Sequence, residues 1–386
     1  MKNVRKVLEV TAVLFIMTLV LVNSAAAFEL DVRSAILADA ETGQILYEKN
    51  ADERLPMASI TKIMPMLLAM EEIEAGRLAL EDEVVISNYA SSMGGSQIFL
   101  AENTEVSIEK LLKAVTIASA NDATVALGEA ISGTYSSFVN LMNERAAELG
   151  MEDTNFINST GLPAENHYTT ARDIVKMSRE VIKYDLVLEW GQIWTENIQL
   201  PGREAMLVNT NRLINSYPGM DGIKTGYTSE SGYSLAATAE RNDVRLISVV
   251  MKTESPEERR ELTSRLLNYG YNNFSREIFL RDEEEIQNID LPGGSERYIT
   301  GRAEGTLQVA VQRSNRDKYS AEFIEKKDLS APVKEGDIVG EYVVKESGAV
   351  INSVNIRAVQ DIGRANIFVR LWRSFVAWIG SIISSV

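Results

Sequence analysis

Apolar residues recur at three- and four-residue spacing over 107–117, 121–131, 135–149 and 171–182, and again from Ser59 through Met70. That is the period of one helix face, so each stretch predicts a helix. The pattern differs at 35–39 and 43–47, where short apolar runs flank the turn residues between Asp39 and Gly43. These predict two paired strands. Past Lys224, residues 233–239 and 244–251 read as two more strands around the turn Arg241-Asn242-Asp243, and Pro256 opens a helix running toward Tyr271. Strand, many helices, strand and helix, in that order, predict an α+β domain whose terminal strands share one sheet. From about Glu277 short apolar strands alternate with turns such as Pro292-Gly293-Gly294 and Lys334-Glu335-Gly336-Asp337, predicting a separate small β-rich domain over 277–351. No internal repeat or low-complexity tract interrupts the chain.

The two ends have their own patterns. Lys2, Arg5 and Lys6 precede an almost wholly apolar run over 10–22, and Ala25-Ala26-Ala27 offers a small-residue cleavage site. Residues 1–27 therefore read as a secretory signal peptide, with a retained membrane anchor as the alternative. Either reading puts the body outside the cytoplasm. At the other end, Ile362, Ala365, Val369, Trp372, Val376, Ile379 and Ile383 recur at helical spacing, with Arg364, Arg370 and Arg373 on the other side. Residues 352–386 are expected to hold a basic amphipathic helix lying in a membrane surface; a helix packed on its own domain is the alternative.

The chain has 386 residues, enough for two domains, and its 45% apolar content suits a folded globule. A net charge of −16 leaves no overall basic surface for nucleic acid. There is no cysteine, so an exported chain must be held by its core and not by disulfides. With one histidine and no cysteine, nothing demands a metal, and no cofactor is expected.

Three motifs carry the chemistry: Ser59-Ile60-Thr61-Lys62, then Ser119-Ala120-Asn121, then Lys224-Thr225-Gly226. Serine needs a base to take its proton. His167, the lone histidine, is the single candidate for a Ser-His-Asp triad, whereas a lysine can serve where burial or a second cation depresses its pKa. Residues three apart on a helix share a face, which stands Ser59 beside Lys62. The Ser59 N–H, near the positive helix end, is a candidate oxyanion donor. A second Ser-x-x-Lys, Ser107-Ile108-Glu109-Lys110, lies only twelve residues before Ser119, which leaves no room for the intervening fold. Ser107 is instead expected to cap a helix beginning at Ile108.

The order and spacing of these motifs resemble the low-molecular-mass penicillin-binding proteins, the D-alanyl-D-alanine carboxypeptidases of serine peptidase family S11. The resemblance runs from Asp31 to the C-terminus. Asn158-Ser-Thr-Gly-Leu, His167-Tyr-Thr-Thr-Ala-Arg-Asp, Asn209-Thr-Asn and Asp221-Gly-Ile-Lys-Thr-Gly-Tyr-Thr also support it. It implies a penicillin-binding/β-lactamase-like catalytic domain over 28–276, built of an antiparallel sheet plus a helical cluster. A small all-β domain and a C-terminal amphipathic helix would follow, anchoring an exported enzyme to the outer face of the cytoplasmic membrane. It implies Ser59 as the acylated nucleophile, Lys62 as its general base and Ser119 as proton relay to the leaving group. Asn121 would bind the peptide amide, and Lys224 would hold Lys62 and Ser119 in electrostatic register. Thr225 and Arg259 would bind the terminal carboxylate, and the Tyr227 N–H would complete the oxyanion hole. The implied partners are a peptidoglycan stem peptide ending in D-Ala-D-Ala, β-lactam antibiotics and the membrane surface.

Two residues depart from the family pattern. Ala120 stands where the second motif usually has glycine, and its methyl is expected to fit or to narrow the cleft. Pro65 falls one turn past Lys62, where an interior proline costs about 3 kcal/mol; a kink and a displaced Lys62 are expected. His167 reads as a structural or substrate-contact residue, Asn209 and Asn211 as loop-backbone partners, and 277–285 as a solvated acidic face. A β-lactamase remains as an alternative, with Glu165 the nearest candidate for its deacylating base, and so does a non-catalytic binder of cell-wall peptide.

Overall fold

The computed structural model describes residues 28–368, so the expected signal at 1–27 and the C-terminal helix beyond 368 lie outside the described residues. Residues 32–368 belong to one compact unit. Strands β1 (Ser34–Asp39) and β2 (Ile45–Lys49) open the chain. A 3-10 turn, Ala58–Lys62, leads into helix α1 (Ile63–Glu74). The short pair β3 (Glu83–Val85) and β4 (Glu105–Ser107) precedes α2 (Ile108–Ala118), α3 (Asn121–Ser132), α4 (Tyr135–Glu148), α5 (Ala171–Val181) and α6 (Asp185–Gly191). The hairpin β5 (Thr195–Leu200)–β6 (Arg203–Val208) follows. The domain closes with β7 (Met220–Thr228), β8 (Gly232–Arg241), β9 (Val244–Thr253) and α7 (Pro256–Asn273).

The first and last strands share one antiparallel sheet in the order β2-β1-β9-β8-β7, as the strand-helix-strand pattern predicts. Side chains alternate across a strand, so one sheet can bury two faces. Ile36, Ala38, Ile247 and Val249 join the core of the helical cluster. Leu37 and Leu246 point the other way, where Gly270 of α7 lies so close that a methyl group there would meet both. The helices start where capping chemistry allows. Thr134, Thr170 and Ser255 each accept the N–H three residues on, and Pro256 occupies the first turn of α7. Ser107 is the residue before α2, as expected, but its hydroxyl makes no capping bond.

The proline expectation is corrected. The helix proper begins only at Ile63, after a 3-10 turn, so Pro65 sits in the first turn of α1 and is buried there. A first-turn N–H has no acceptor within the helix, so the interior penalty does not arise.

The second domain comprises β10 (Phe274–Leu280), β11 (Glu285–Asp290), β12 (Tyr298–Ala303), β13 (Leu307–Gln312), β14 (Tyr319–Glu325), β15 (Ile338–Glu346) and β16 (Ala349–Ala358). β11-β12-β16-β15-β14 form one sheet, and β10 pairs with β13. The expected boundary at 351 is overturned. β16 pairs with β15 and β12, and Ile356, Ala358 and Ile362 are buried in this domain's core. Residues 352–358 are therefore strand, not the start of a helix, because their alternating apolar residues fill a sheet face. Only Ile367 and Phe368 are helical among the described residues of the tail, and both are exposed. Among the described residues no helix is long and apolar enough to cross a membrane. The 277–285 run is split between β10, the exposed loop Arg281–Glu284 and the first residue of β11. Arg276 reaches back to the buried Asp39 at 2.7 Å and to Glu41, tying β10 to the end of β1.

Candidate active site

Ser59 and Lys62 lie on the 3-10 turn that precedes α1. The turn begins with strain: Ala58, a buried non-glycine residue, has φ +47°. It is held from three sides. Thr61 Oγ1 donates to the Ala58 carbonyl at 2.7 Å. Gly161, at φ +82°, passes so close that a Cβ there would fall 1.8 Å from the same carbonyl oxygen, which only glycine permits. Gly226 of β7 packs against Met57, Ala58 and Ile60, where an added Cβ would lie 2.9 Å from the Met57 oxygen. The Lys-Thr-Gly strand, an edge of the sheet, therefore runs beside the serine because Gly226 has no side chain.

Within this cradle Lys62 Nζ stands 3.0 Å from Ser59 Oγ and 2.6 Å from the Thr160 carbonyl oxygen. Ser59 is half-buried and Lys62 fully buried. Burial pushes the Lys62 amine well below the ordinary lysine value; the neighbouring Lys224 lowers it further, and Asp122 opposes both. Lys224 is itself fully buried, and its Nζ has no hydrogen-bond partner. Burial first, then the Arg259 charge, bring it down to about 7. Arg259, in the first turns of α7, is buried with its Nε unpartnered, and burial lowers it to about 10. Two buried cations with unpartnered nitrogens, Lys224 and Arg259, mark a place suited to an anion.

Ser119 ends α2 in the left-handed region, φ +61° and ψ +33°, and the chain turns there into α3. Ala120 has ordinary extended angles and its methyl lies in the core, so it needs no glycine and does not narrow the cleft. Asn121 is buried; its N–H donates to the Ser96 carbonyl and its Nδ2 to the Gly94 carbonyl, both at 2.6 Å. Asn121 Oδ1 has no partner. Among the described residues no hydrogen bond joins Ser119 to Lys62. Thr225 Oγ1 donates to Thr210 Oγ1 at 2.7 Å. The Tyr227 ring is half exposed and stacks on Tyr233, centroids 4.2 Å apart, with the Arg259 guanidinium 5.9 Å from the Tyr233 ring.

His167 is structural. Its Nδ1 accepts the Ile157 N–H at 3.0 Å, so Nε2 carries the proton and donates to Thr61 Oγ1 at 2.8 Å. Asn209 bonds the carbonyls of Gly191 and Ile193 and the N–H of Asn211, and Asn211 bonds the Leu213 N–H: loop-backbone partners, as expected. Glu165 is exposed in an open groove of about 490 Å³ with Pro56, Tyr168 and Glu230, and makes no hydrogen bond to Ser59 or Lys62 among the described residues. Sequence reasoning gave no role to Thr160, Thr210, Asp122 or Arg203. Only Thr160 carried a local signal: Asn158 Oδ1 accepts from the N–H groups of Thr160 and Gly161, a turn that the Asn-x-x-Gly spelling permits.

The family model for D-alanyl-D-alanine carboxypeptidases matches residues 21–255, and that for the C-terminal domain of penicillin-binding protein 5 matches 274–364. The chain is 36% identical over 350 residues to D-alanyl-D-alanine carboxypeptidase DacF of Bacillus subtilis, covering 90% of each chain. Its fold matches crystal structures of penicillin-binding protein 5 from Haemophilus influenzae with a TM-score of 0.78 at 30% identity, over 88% of this chain and 100% of that one. It also matches penicillin-binding protein D2 of Listeria monocytogenes in its ampicillin-bound form, with a TM-score of 0.57 at 30% identity over 63% of this chain and 100% of that one. The chain belongs to the D-alanyl-D-alanine carboxypeptidase family, peptidase family S11.

Proposed function

We propose that this enzyme removes the terminal D-alanine from peptidoglycan stem peptides through an acyl-enzyme on Ser59, and that β-lactams acylate the same oxygen. One observation carries the reading: a fully buried lysine amine 3.0 Å from a serine hydroxyl, with a second buried lysine behind it. Lys62, losing its proton more readily than an ordinary lysine, takes the Ser59 proton as Oγ attacks the penultimate carbonyl carbon. The N–H groups of Ser59 and Tyr227, on the two segments that pack together at Gly226, receive the oxyanion. Asn121 Oδ1, left without a partner, suits a substrate amide N–H. Lys224, Thr225 and Arg259 suit the terminal carboxylate. Ser119 passes a proton to the departing D-alanine nitrogen, and water then cleaves the ester and restores Ser59.

The features that kept a non-catalytic reading open do not disturb the cradle: Pro65 lies in a helix first turn and the Ala120 methyl in the core. The exposed position of Glu165 disfavours the β-lactamase alternative. The body is exported, and the tail beyond 368 holds it on the membrane surface; the apolar spacing and arginines of that segment support this.

The test is labelling with a fluorescent penicillin and hydrolysis of diacetyl-lysyl-D-alanyl-D-alanine. Wild type should do both, and Ser59→Ala neither. Lys62→Arg should also fail, since arginine cannot act as a base at accessible pH. Label found on Ser107, or normal acylation of Lys62→Arg, would overturn the assignment.

A further inference from the structure

Asp122 is fully buried at the start of α3, one residue beyond Asn121. No cation forms an ion pair with it among the described residues. A buried carboxylate is tolerated only when its oxygens are satisfied. Here three backbone N–H groups satisfy them: Ile98 at 3.2 and 3.1 Å, Leu100 at 3.0 Å and Ala123 at 2.9 Å. Two of those donors belong to the 94–100 segment, the same segment whose Gly94 and Ser96 carbonyls hold Asn121.

That segment is gripped from the other side as well. Arg203 of β6 donates to the carbonyls of Ile98 and Phe99, the latter at 3.0 Å. Between the two grips Phe99 is held at φ +57° and is 67% exposed. A bulky residue in the left-handed region persists only where its surroundings impose it. The 94–100 wall is thus a part held in place by Asp122 on its N–H side and Arg203 on its C=O side, and its product is the orientation of the Asn121 amide.

We infer that Asp122 is a positioning residue of the acyl-transfer site: its carboxylate fixes the wall that orients Asn121 and keeps a buried negative charge next to it. The inference rests on the assignment of Ser59 and Lys62 above. The charges that act on Lys62 are Lys224 on β7, which favours loss of its proton, and Asp122 on α3, which opposes that loss; Arg259 on α7 acts on Lys224.

The experiment follows penicillin acylation rate against pH in the full chain for wild type, Asp122→Asn and Arg203→Ala, with circular dichroism reporting the fold. An asparagine must turn its NH2 toward a backbone N–H, so Asp122→Asn loosens the wall; acylation should fall roughly tenfold or more. Its acid limb should also move to lower pH by about half a unit or more, because the charge opposing Lys62 deprotonation is gone. Arg203→Ala should lower the rate and leave the limb in place, since it loosens the wall without altering charge near Lys62. A wild-type rate in Arg203→Ala overturns the wall's role, even if Asp122→Asn does not fold. A slowed Asp122→Asn with an unmoved limb reduces Asp122 to scaffolding and overturns the inference too. Failure of wild type to be acylated at Ser59 would instead remove the functional assignment itself.

Discussion

Thr61 Oγ1 lies 2.8 Å from His167 Nε2, and the two residues bring together parts of the chain 106 positions apart. The chain of donors runs one way: Ile157 N–H to His167 Nδ1, His167 Nε2–H to Thr61 Oγ1, and Thr61 O–H to the Ala58 carbonyl beside Ser59. Every group in it is used once, which requires a neutral imidazole. A second proton on Nδ1 would face the Ile157 N–H.

A pH dependence follows. Burial lowers His167 from the usual 6.5 to about 4. The folded state therefore binds its proton less readily than the unfolded state, so this contribution is present above pH 6.5 and is lost as pH falls toward 4. The loss amounts to roughly 3 kcal/mol at most. Thermal melts from pH 7 to 4 should show declining stability, and His167→Gln should flatten that part of the slope. An unchanged slope in the variant would assign the decline to carboxylates.

Lys224→Met should stabilise the protein and disable it. The Lys224 Nζ is buried without a partner, a loss of about 1–3 kcal/mol for such a group. Methionine fills similar space with no polar atom. A higher Tm with penicillin acylation strongly slowed is expected; a lower Tm would mean that the ammonium has a partner in solution.

Pro65→Thr should lower Tm slightly. In the first turn of α1 the proline ring is buried and gives up no helical hydrogen bond. Replacing it loosens the unfolded chain by about 0.4–1 kcal/mol. A rise in Tm would show that the ring strains the turn carrying Ser59.

Two truncations should behave differently. Ending the chain at Asn355 removes Ile356, Ala358 and Ile362 from the core of the second domain and should destabilise it. Ending it at Phe368 leaves that core whole; this form should keep peptidase activity and leave the membrane fraction. Continued pelleting of the 1–368 form, with its signal cleaved, would refute attachment through the tail.

Much of this protein is written locally. Helix and strand periods at 121–131, 171–182, 233–239 and 244–251 set their elements, because each depends on neighbours within a few residues. The Ser-x-x-Lys spacing likewise determined that Ser59 and Lys62 stand together, since one turn of chain spans that distance. What tertiary structure decided are the partners that complete the chemistry. The Thr160 carbonyl reaches Lys62 across 98 positions, and Lys224 acts on it from strand β7. Asp122 grips a segment more than twenty residues upstream. No periodicity encodes such meetings, because a buried polar atom takes whatever donor or acceptor the closed fold brings to it. The tail shows the same division. Its apolar residues announced burial, but whether Ile356 and Ile362 faced a lipid surface or a protein core depended on β12 and β15 lying beside β16 and on Val333 pairing with Ile362.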